Sequence, residues 1–314
     1  MSKAKPKAES GKMKPEKNPG FLSLLRKKYR ERPVVVHAPA KINLTLDVGA
    51  KQSDGYHPVR TIMQTVDLCD MVTVRLTDTG CVHLTCSDET IPTDEKNTAV
   101  KAANLFYKQL ETECPGVEIA IEKKIPKEAG LAGGSTDAAA VLYALNTLHG
   151  EPFLLNQMAD FSSEIGADVP FCVLRGCALA TGIGEKLKPL FGLSKRLYVV
   201  ICKPPVSVST KKAYEAIDAH LQDTKVSDEQ GMRVALLKQD AKAVGEKLHN
   251  VFEQAMHLPE VEDILKTMQE CDSLGCRMSG SGSAVYALFS EKDAAEQCRL
   301  RLKNAGDTYL CRPC

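Results

Sequence analysis

The residue pattern predicts an α+β fold in two parts. Three observations carry that prediction: a period-two strand near residue 42, a glycine loop that feeds an apolar helix after Pro126, and a second round of strands and helices after about residue 190. The first folded stretch opens at Pro33. Ile42, Leu44, Leu46 and Val48 then alternate with Lys41, Asn43, Thr45 and Asp47. A strand of that period has one apolar and one polar face, so Lys41 and Asn43 point the same way, away from the core. Ser53, Asp54 and Gly55 mark a turn. Strands are expected over 61–67, 72–76 and 82–86, with Thr77 to Gly80 as the hairpin connection between the last two. A helix over 98–110 starts at Asn97, and a strand containing Val117, Ile119 and Ile121 follows it.

Residues 126–137 read Pro-Lys-Glu-Ala-Gly-Leu-Ala-Gly-Gly-Ser-Thr-Asp. Glycines let a backbone approach a phosphate closely, and the first turn of a helix presents unpaired N–H groups and a partial positive charge. A loop of this kind feeding a capped helix start is an anion site, and a nucleotide triphosphate is expected there. The helix after it buries Val141, Leu142, Leu145 and Leu148. A second helix carries Leu155, Met158, Phe161 and Ile165 and ends at Gly166. Taken alone, the loop is a moderate signal, and a tight turn with no ligand is the lesser alternative. It is not a Walker A element, because Gly11-Lys12 is followed by Met13, and neither Gly182-Ile-Gly184 nor Gly280-Ser-Gly282 completes a dinucleotide fingerprint.

The second part holds a strand over 196–202, a helix marked by Tyr214, Ile217 and Leu221, and a charged helical region over 224–270. A glycine-rich turn over 275–282, a strand over 284–289, a helix over 291–305 and a short strand over 308–311 complete it. Three regions are therefore expected: a basic tail over 1–32, a first domain over 33–190 and a smaller α+β domain over 191–314.

Composition narrows the class. The chain of 314 residues is 43% hydrophobic and 26% charged, which suits a globular protein with a substantial core. No run of about 18 apolar residues exists, so no membrane span is expected. The net charge is +1, but residues 1–32 hold eleven Lys/Arg and three Glu, leaving −7 on the rest. That segment lacks an apolar core and reads as a disordered, solubilising tail. A weak electrostatic contact or an organelle address stays open, and Phe21 to Lys28 would make one short amphipathic helix. The twelve cysteines form no paired CxxC set; Cys311 and Cys314 make a lone one. Reduced thiols in a cytoplasmic protein are the expectation, with Cys172, Cys177 and Cys202 as core residues and no histidine–cysteine metal site.

Several motifs become specific in combination. Pro39-Ala-Lys41-Ile-Asn43, Asp54-Gly-Tyr56-His57, Gly130-Leu-Ala-Gly-Gly-Ser-Thr136, Gly166-Ala-Asp168-Val-Pro170 and Ser279-Gly-Ser-Gly282 occur in that order. Over roughly residues 33–312 the chain resembles the GHMP kinase superfamily. The first two motifs resemble the branch that phosphorylates the 2-hydroxyl of a cytidyl-linked methylerythritol in the non-mevalonate isoprenoid route.

The resemblance implies a first domain like ribosomal protein S5 domain 2 and a ferredoxin-like second domain. It implies ATP and Mg²⁺ as cofactors, a small-molecule acceptor, no nucleic acid or membrane partner, and a monomer or weak homodimer. Its catalytic pair falls on Lys41 and Asp168: Asp168 accepts the acceptor's hydroxyl proton, and Lys41 stabilises charge on the transferring phosphoryl group. The phosphates fall to Pro126, Lys127, Glu128, Ala129, Gly130, Leu131, Ala132, Gly133, Gly134, Ser135 and Thr136. Asn97 and Lys123 match positions near the adenine or its ribose, and Ser135 and Thr136 are candidate Mg²⁺ ligands. The acceptor falls to Asn43, Tyr56, His57, Thr210 and Tyr214, with Tyr56 and Tyr214 stacking on the pyrimidine and His57 reading its polar edge. Three departures stand out, the first being the basic tail, an extension that the family pattern does not explain. Glu128 occupies a place where a small residue is expected, and Ala132 replaces a common glycine, which asks for an unstrained φ there.

Overall fold

The computed structural model describes residues 32–314. The short helix expected from Phe21 to Lys28 and all of the basic tail except Arg32 lie outside the described residues. The first half supplies strands β1 (Val34–Val48), β2 (Val59–Leu76), β3 (Val82–Cys86), β4 (Val117–Glu122), β5 (Cys177–Thr181) and β6 (Lys186–Pro189). Its helices are α1 (Thr98–Leu110), α2 (Gly133–Leu148), α3 (Leu155–Ser162) and α4 (Val169–Leu174). The second half supplies β7 (Tyr198–Lys203), α5 (Thr210–His220), α6 (Glu229–Lys238), α7 (Ala241–Glu246), β8 (His249–Asn250), α8 (Val251–Ala255), α9 (Pro259–Glu270), β9 (Gly275–Met278), β10 (Val285–Phe289), α10 (Lys292–Arg301) and β11 (Asp307–Cys311).

The expected α+β class is found. One sheet runs β3-β4-β2-β1-β8, with β5 on β2 and β6 beyond it; the other runs β11-β7-β10-β9. The two strands expected over 61–67 and 72–76 are a single strand of 18 residues. Thr77 to Gly80 does not form a hairpin, because β4 lies between β2 and β3. The turn instead bonds to the residues that lead into β4: Thr77 N–H donates to Gly116 O at 2.8 Å and Gly80 N–H to Pro115 O at 3.0 Å. The chain crosses through α1 and returns as β4, parallel to β3, with Val117, Ile119 and Ile121 buried. Turn composition signals a reversal but says nothing about which strand becomes the partner.

From Ala38 to Leu46, β1 is buried on both faces. Its register against β2 shifts between Pro39 and Lys41 and between Asn43 and Thr45. Such bulges re-aim side chains within a strand. Ala38 packs with the helices, whereas Ala40, Ile42 and Leu44 pack with Val199, Ile201, Tyr286 and Leu288 of the other sheet. The polar face read as turned from the core is covered too: Lys41 is 4% and Asn43 2% exposed. α2 lies close against β1, and its run Ala138, Ala139 and Ala140 is buried without bulky side chains to hold the helix off.

The halves interlock across the boundary expected near 190. The region 224–270 is not continuous helix; β8 interrupts it and pairs in parallel with Thr45 and Leu46 of β1. α3 stops at Ser162, before Gly166. The turn expected over 275–282 begins only at Ser279, because Gly275–Met278 is strand paired with β10. A Cβ on Gly275 would lie 2.3 Å from the carbonyl oxygen of Gly245, so glycine there reflects close backbone packing.

The two glycine turns touch. Gly130 has φ +72°, and a Cβ on it would lie 2.0 Å from the carbonyl oxygen of Ser279. Ala132, expected to be unstrained, sits at φ +61° and precedes the first residue of α2. A left-handed L-residue costs about 1–2 kcal/mol. Two outcomes follow for urea unfolding. Gly130→Ala should lower stability by about 3 kcal/mol, the sum of that strain and overpacking. Ala132→Gly should raise it by about 0.5–1 kcal/mol, strain relief exceeding the added freedom of the unfolded chain.

Candidate active site

A cavity of about 1050 Å³ lies where β1, the glycine loop, the start of α4 and the turn at 279–282 meet. Lys41 and Asp168 both line it, with Lys41 Nζ 3.7 Å from Asp168 Oδ2. Lys41 is fixed from three sides. Its Nζ donates to Asn43 Oδ1 at 2.7 Å and to Gly130 O at 2.9 Å, and its backbone N–H donates to Leu131 O at 3.1 Å. Asp168 caps α4 in position only, since its side chain makes no bond to that helix. The Asp168 side chain is 38% exposed and that of Lys41 5%, so the carboxylate stands in the open part of the cavity and the ammonium at its wall.

Asn43 shares the face of Lys41, as the period predicts, but its amide is committed within the protein. Nδ2 donates to Thr61 Oγ1 at 2.8 Å, and Oδ1 accepts from Lys41 Nζ and from Ser279 Oγ at 3.4 Å. Ser279 Oγ also donates to Gly130 O at 3.0 Å. Asn250 Nδ2 holds the same turn by donating to Met278 O and Gly280 O at 2.7 and 2.8 Å.

Residues 126–135 all line the cavity, but Thr136 does not. Its hydroxyl is buried and donates to Pro39 O at 2.8 Å, which ties α2 to β1 and removes it as a phosphate or metal ligand. α2 begins inside the loop at Gly133, and Ala132 before it offers no side-chain cap. Ser135 and Thr136 therefore lie in the first turn and Asp137 just past it, none of them capping the helix, and the leading N–H groups face the loop uncapped. Glu128 sits at φ +51° with its side chain exposed. Its charge acts on the buried ammonium of Lys203, which donates to Pro204 O and Val206 O at 2.8 and 2.9 Å.

Asn97 and Lys123 border the cavity, yet both are engaged. Asn97 Oδ1 accepts the N–H of Ala99 at 2.8 Å and Nδ2 donates to Pro92 O at 2.7 Å. Lys123 Nζ donates to Asp70 Oδ2 and, at 2.6 Å, to Asp137 Oδ2. Burial opposes its charge, but Asp137 and Asp70 outweigh that and hold its pKa above the usual lysine range. Burial pushes the Asp137 carboxyl up to about 7, with Lys123 opposing the rise and Asp70 adding to it.

At the other end of the cavity Tyr214, Thr210 and Phe252 line the wall. Tyr214 lies 5.0 Å from the His57 ring at 37° and 5.3 Å from Phe252, edge-on. His57 stands behind Tyr214, its Nδ1 2.9 Å from Gly49 O and its Nε2 3.5 Å from Asp218 Oδ1. Tyr56 is 60% exposed and lies off the cavity wall, so the expected pair of stacking rings, Tyr56 and Tyr214, is not assembled. The aromatic neighbour of Tyr214 at the wall is Phe252, which the sequence pattern did not mark because it lies in a charged helical region. Asp70 looks like an ordinary strand residue in the sequence, and Asp137 and Ser279, although they stand in the quoted motifs, drew no role there because their partners lie far along the chain.

Among the described residues, no group of three His, Cys, Asp or Glu side chains is arranged to hold a metal ion. All twelve cysteines are free, and Cys172, Cys177 and Cys202 are buried as expected. No helix among the described residues is long and apolar enough to cross a membrane.

Comparison with known proteins fits this site. Residues 97–176 match the GHMP kinases N terminal domain and residues 232–308 the GHMP kinases C terminal domain. The chain is 44% identical over 283 residues to the 4-diphosphocytidyl-2-C-methyl-D-erythritol kinase of Exiguobacterium sibiricum, covering 89% of this chain and 97% of that one. It is 43% identical over 272 residues to the enzyme of the same name from Caldicellulosiruptor saccharolyticus, covering 86% and 93%. A crystal structure of 4-(cytidine 5'-diphospho)-2C-methyl-D-erythritol kinase superposes with a TM-score of 0.75 at 32% identity, over 89% of this chain and 99% of that one. A homoserine kinase from Cytophaga hutchinsonii, 25% identical, reaches 0.72 over 90% and 95%. With its glycine loop, its Lys41–Asp168 pair and these relatives, the chain belongs to the 4-diphosphocytidyl-2-C-methyl-D-erythritol kinase family of the GHMP kinases.

Proposed function

We propose that the chain transfers the γ-phosphoryl group of ATP to the 2-hydroxyl of 4-diphosphocytidyl-2-C-methyl-D-erythritol. The observation that carries this reading is the convergence of Lys41 Nζ and the Asp168 carboxylate, 3.7 Å apart, beside the glycine loop. Phosphoryl transfer asks mainly for positioning and charge stabilisation. The 2-hydroxyl oxygen attacks the γ-phosphorus, the bond from that phosphorus to the β-bridging oxygen breaks, and ADP leaves. The hydroxyl proton passes to an oxygen of Asp168, the more exposed of the pair. Lys41, held by Asn43 and the Gly130 carbonyl, faces the charge that builds on the transferring group.

Residues 126–135 would hold the triphosphate through their backbone. The donor set suits Mg²⁺ bound largely by phosphates and water: the Ser135 hydroxyl is half-buried at the cavity, and among the described residues no protein cage surrounds it. When bound, Mg²⁺ neutralises phosphate charge. Tyr214 and Phe252 offer the aromatic wall for the cytosine ring, and Thr210 borders the same end.

A coupled ADP-release assay tests the reading. Turnover is expected with the cytidyl acceptor and not with methylerythritol phosphate or homoserine; the reverse order would refute it. Asp168→Ala should lower kcat by about 10²–10⁴-fold and Lys41→Met by about 10²–10³-fold, with both proteins folded by circular dichroism. Near-normal rates in both would remove the assigned roles. Tyr214→Leu should raise the KM of the cytidyl acceptor about tenfold through lost stacking while the KM of ATP holds.

A further inference from the structure

The neck of the glycine loop is closed by charges that the transfer step does not use. Asp70, on β2, is fully buried. Its Oδ1 accepts the backbone N–H groups of Lys124 and Ile125 at 2.6 and 2.8 Å, and its Oδ2 accepts from Lys123 Nζ. The same Nζ donates to Asp137 Oδ2 at 2.6 Å, just past the first turn of α2. Lys123 and Asp137 bracket the loop, one just before Pro126 and the other just after Thr136. Asp137 Oδ1 is buried without a hydrogen-bond partner, and Asp137 lines the cavity.

Two buried carboxylates around one ammonium are a poor way to stabilise a core, because desolvation of three charges offsets their attraction and apolar residues would serve as well. What the arrangement supplies is geometry. It fixes the backbone that leads into the loop against the helix turn that leads out of it.

We propose that Asp70, Lys123 and Asp137 form an ionic clasp across the neck of the phosphate loop, making Asp70 and Asp137 positioning residues for ATP. The proposal rests on the reading of this cavity as the ATP site. With the clasp closed, the N–H groups of the loop and of the first turn of α2 hold one arrangement before ATP arrives. With it open, ATP must order them on binding, and that cost appears in affinity. Asp70 has no exposed side-chain surface, so any effect it has on ATP acts through Lys123 and the backbone it holds.

The test compares Asp70→Asn, Asp137→Asn and the double variant in the full chain. Calorimetry reads the affinity of a non-hydrolysable ATP analogue, and steady-state assays read KM for each substrate and kcat. Each single variant should weaken the analogue and raise the KM of ATP about tenfold. The KM of the acceptor, and kcat at saturating ATP, should stay within about twofold. Because the three groups act as one unit, the double variant should lose no more affinity than the worse single one. Wild-type ATP affinity in folded variants, with only a lower melting temperature, would overturn the clasp. If Asp70→Asn does not fold, Asp137→Asn decides, since it keeps the Asp70–Lys123 pair. A wild-type protein that fails to bind the analogue overturns the ATP-site reading and the clasp with it, whereas normal wild-type binding with unchanged variants overturns the clasp alone.

Discussion

A single carbonyl oxygen, that of Gly130, joins the two halves of the protein at the site. It accepts Lys41 Nζ from β1 and Ser279 Oγ from the second glycine turn. The contact is possible because no Cβ stands between the two backbones at Gly130. Lys41 thereby reaches the wall of the cavity with its ammonium already bonded, which limits its rotamers and fixes its distance to Asp168. The backbone of the loop and the Lys41 ammonium are aligned by one piece of packing.

The same packing explains why polar residues fill what would otherwise be a core strand. Lys41, Asn43 and Thr45 lie on the covered face of β1, and each has a partner: Asn43 and Gly130 for Lys41, Thr61 and Ser279 for Asn43, and the N–H of Ile62 for Thr45. Burial of polar groups is tolerable only when their bonds are made inside the protein. The network is closed except towards the cavity, where the Asp168 carboxylate stands more exposed. Chemistry is left to the one direction from which ligand arrives.

Local strain gathers at the same place. Glu128, Gly130 and Ala132 alternate at positive φ through the loop. Two of the three carry a Cβ, so the loop is held in shape by its surroundings rather than by its own preference. The clasp at its neck, the Ser279 contact and the Thr136–Pro39 bond are the surroundings available to do so.

Period and composition alone determined the α+β class, the helix from Thr98, the apolar face of α2 and the shared side of Lys41 and Asn43. These are local properties, fixed by which side chains lie two or four residues apart. The order of motifs also identified Lys41, the glycine loop and Asp168 as one set. Tertiary structure decided the rest. It placed β4 between β2 and β3, turned Thr136 inward, moved the aromatic wall from Tyr56 to Phe252, and enlisted Asp70 and Asp137 around Lys123. Each of those outcomes depends on a partner far away in the chain: Pro115 and Gly116 for the Thr77 turn, Pro39 for Thr136, Tyr214 for Phe252. A residue's intrinsic preference is the same with or without that partner, so the pattern along the chain carries no trace of it.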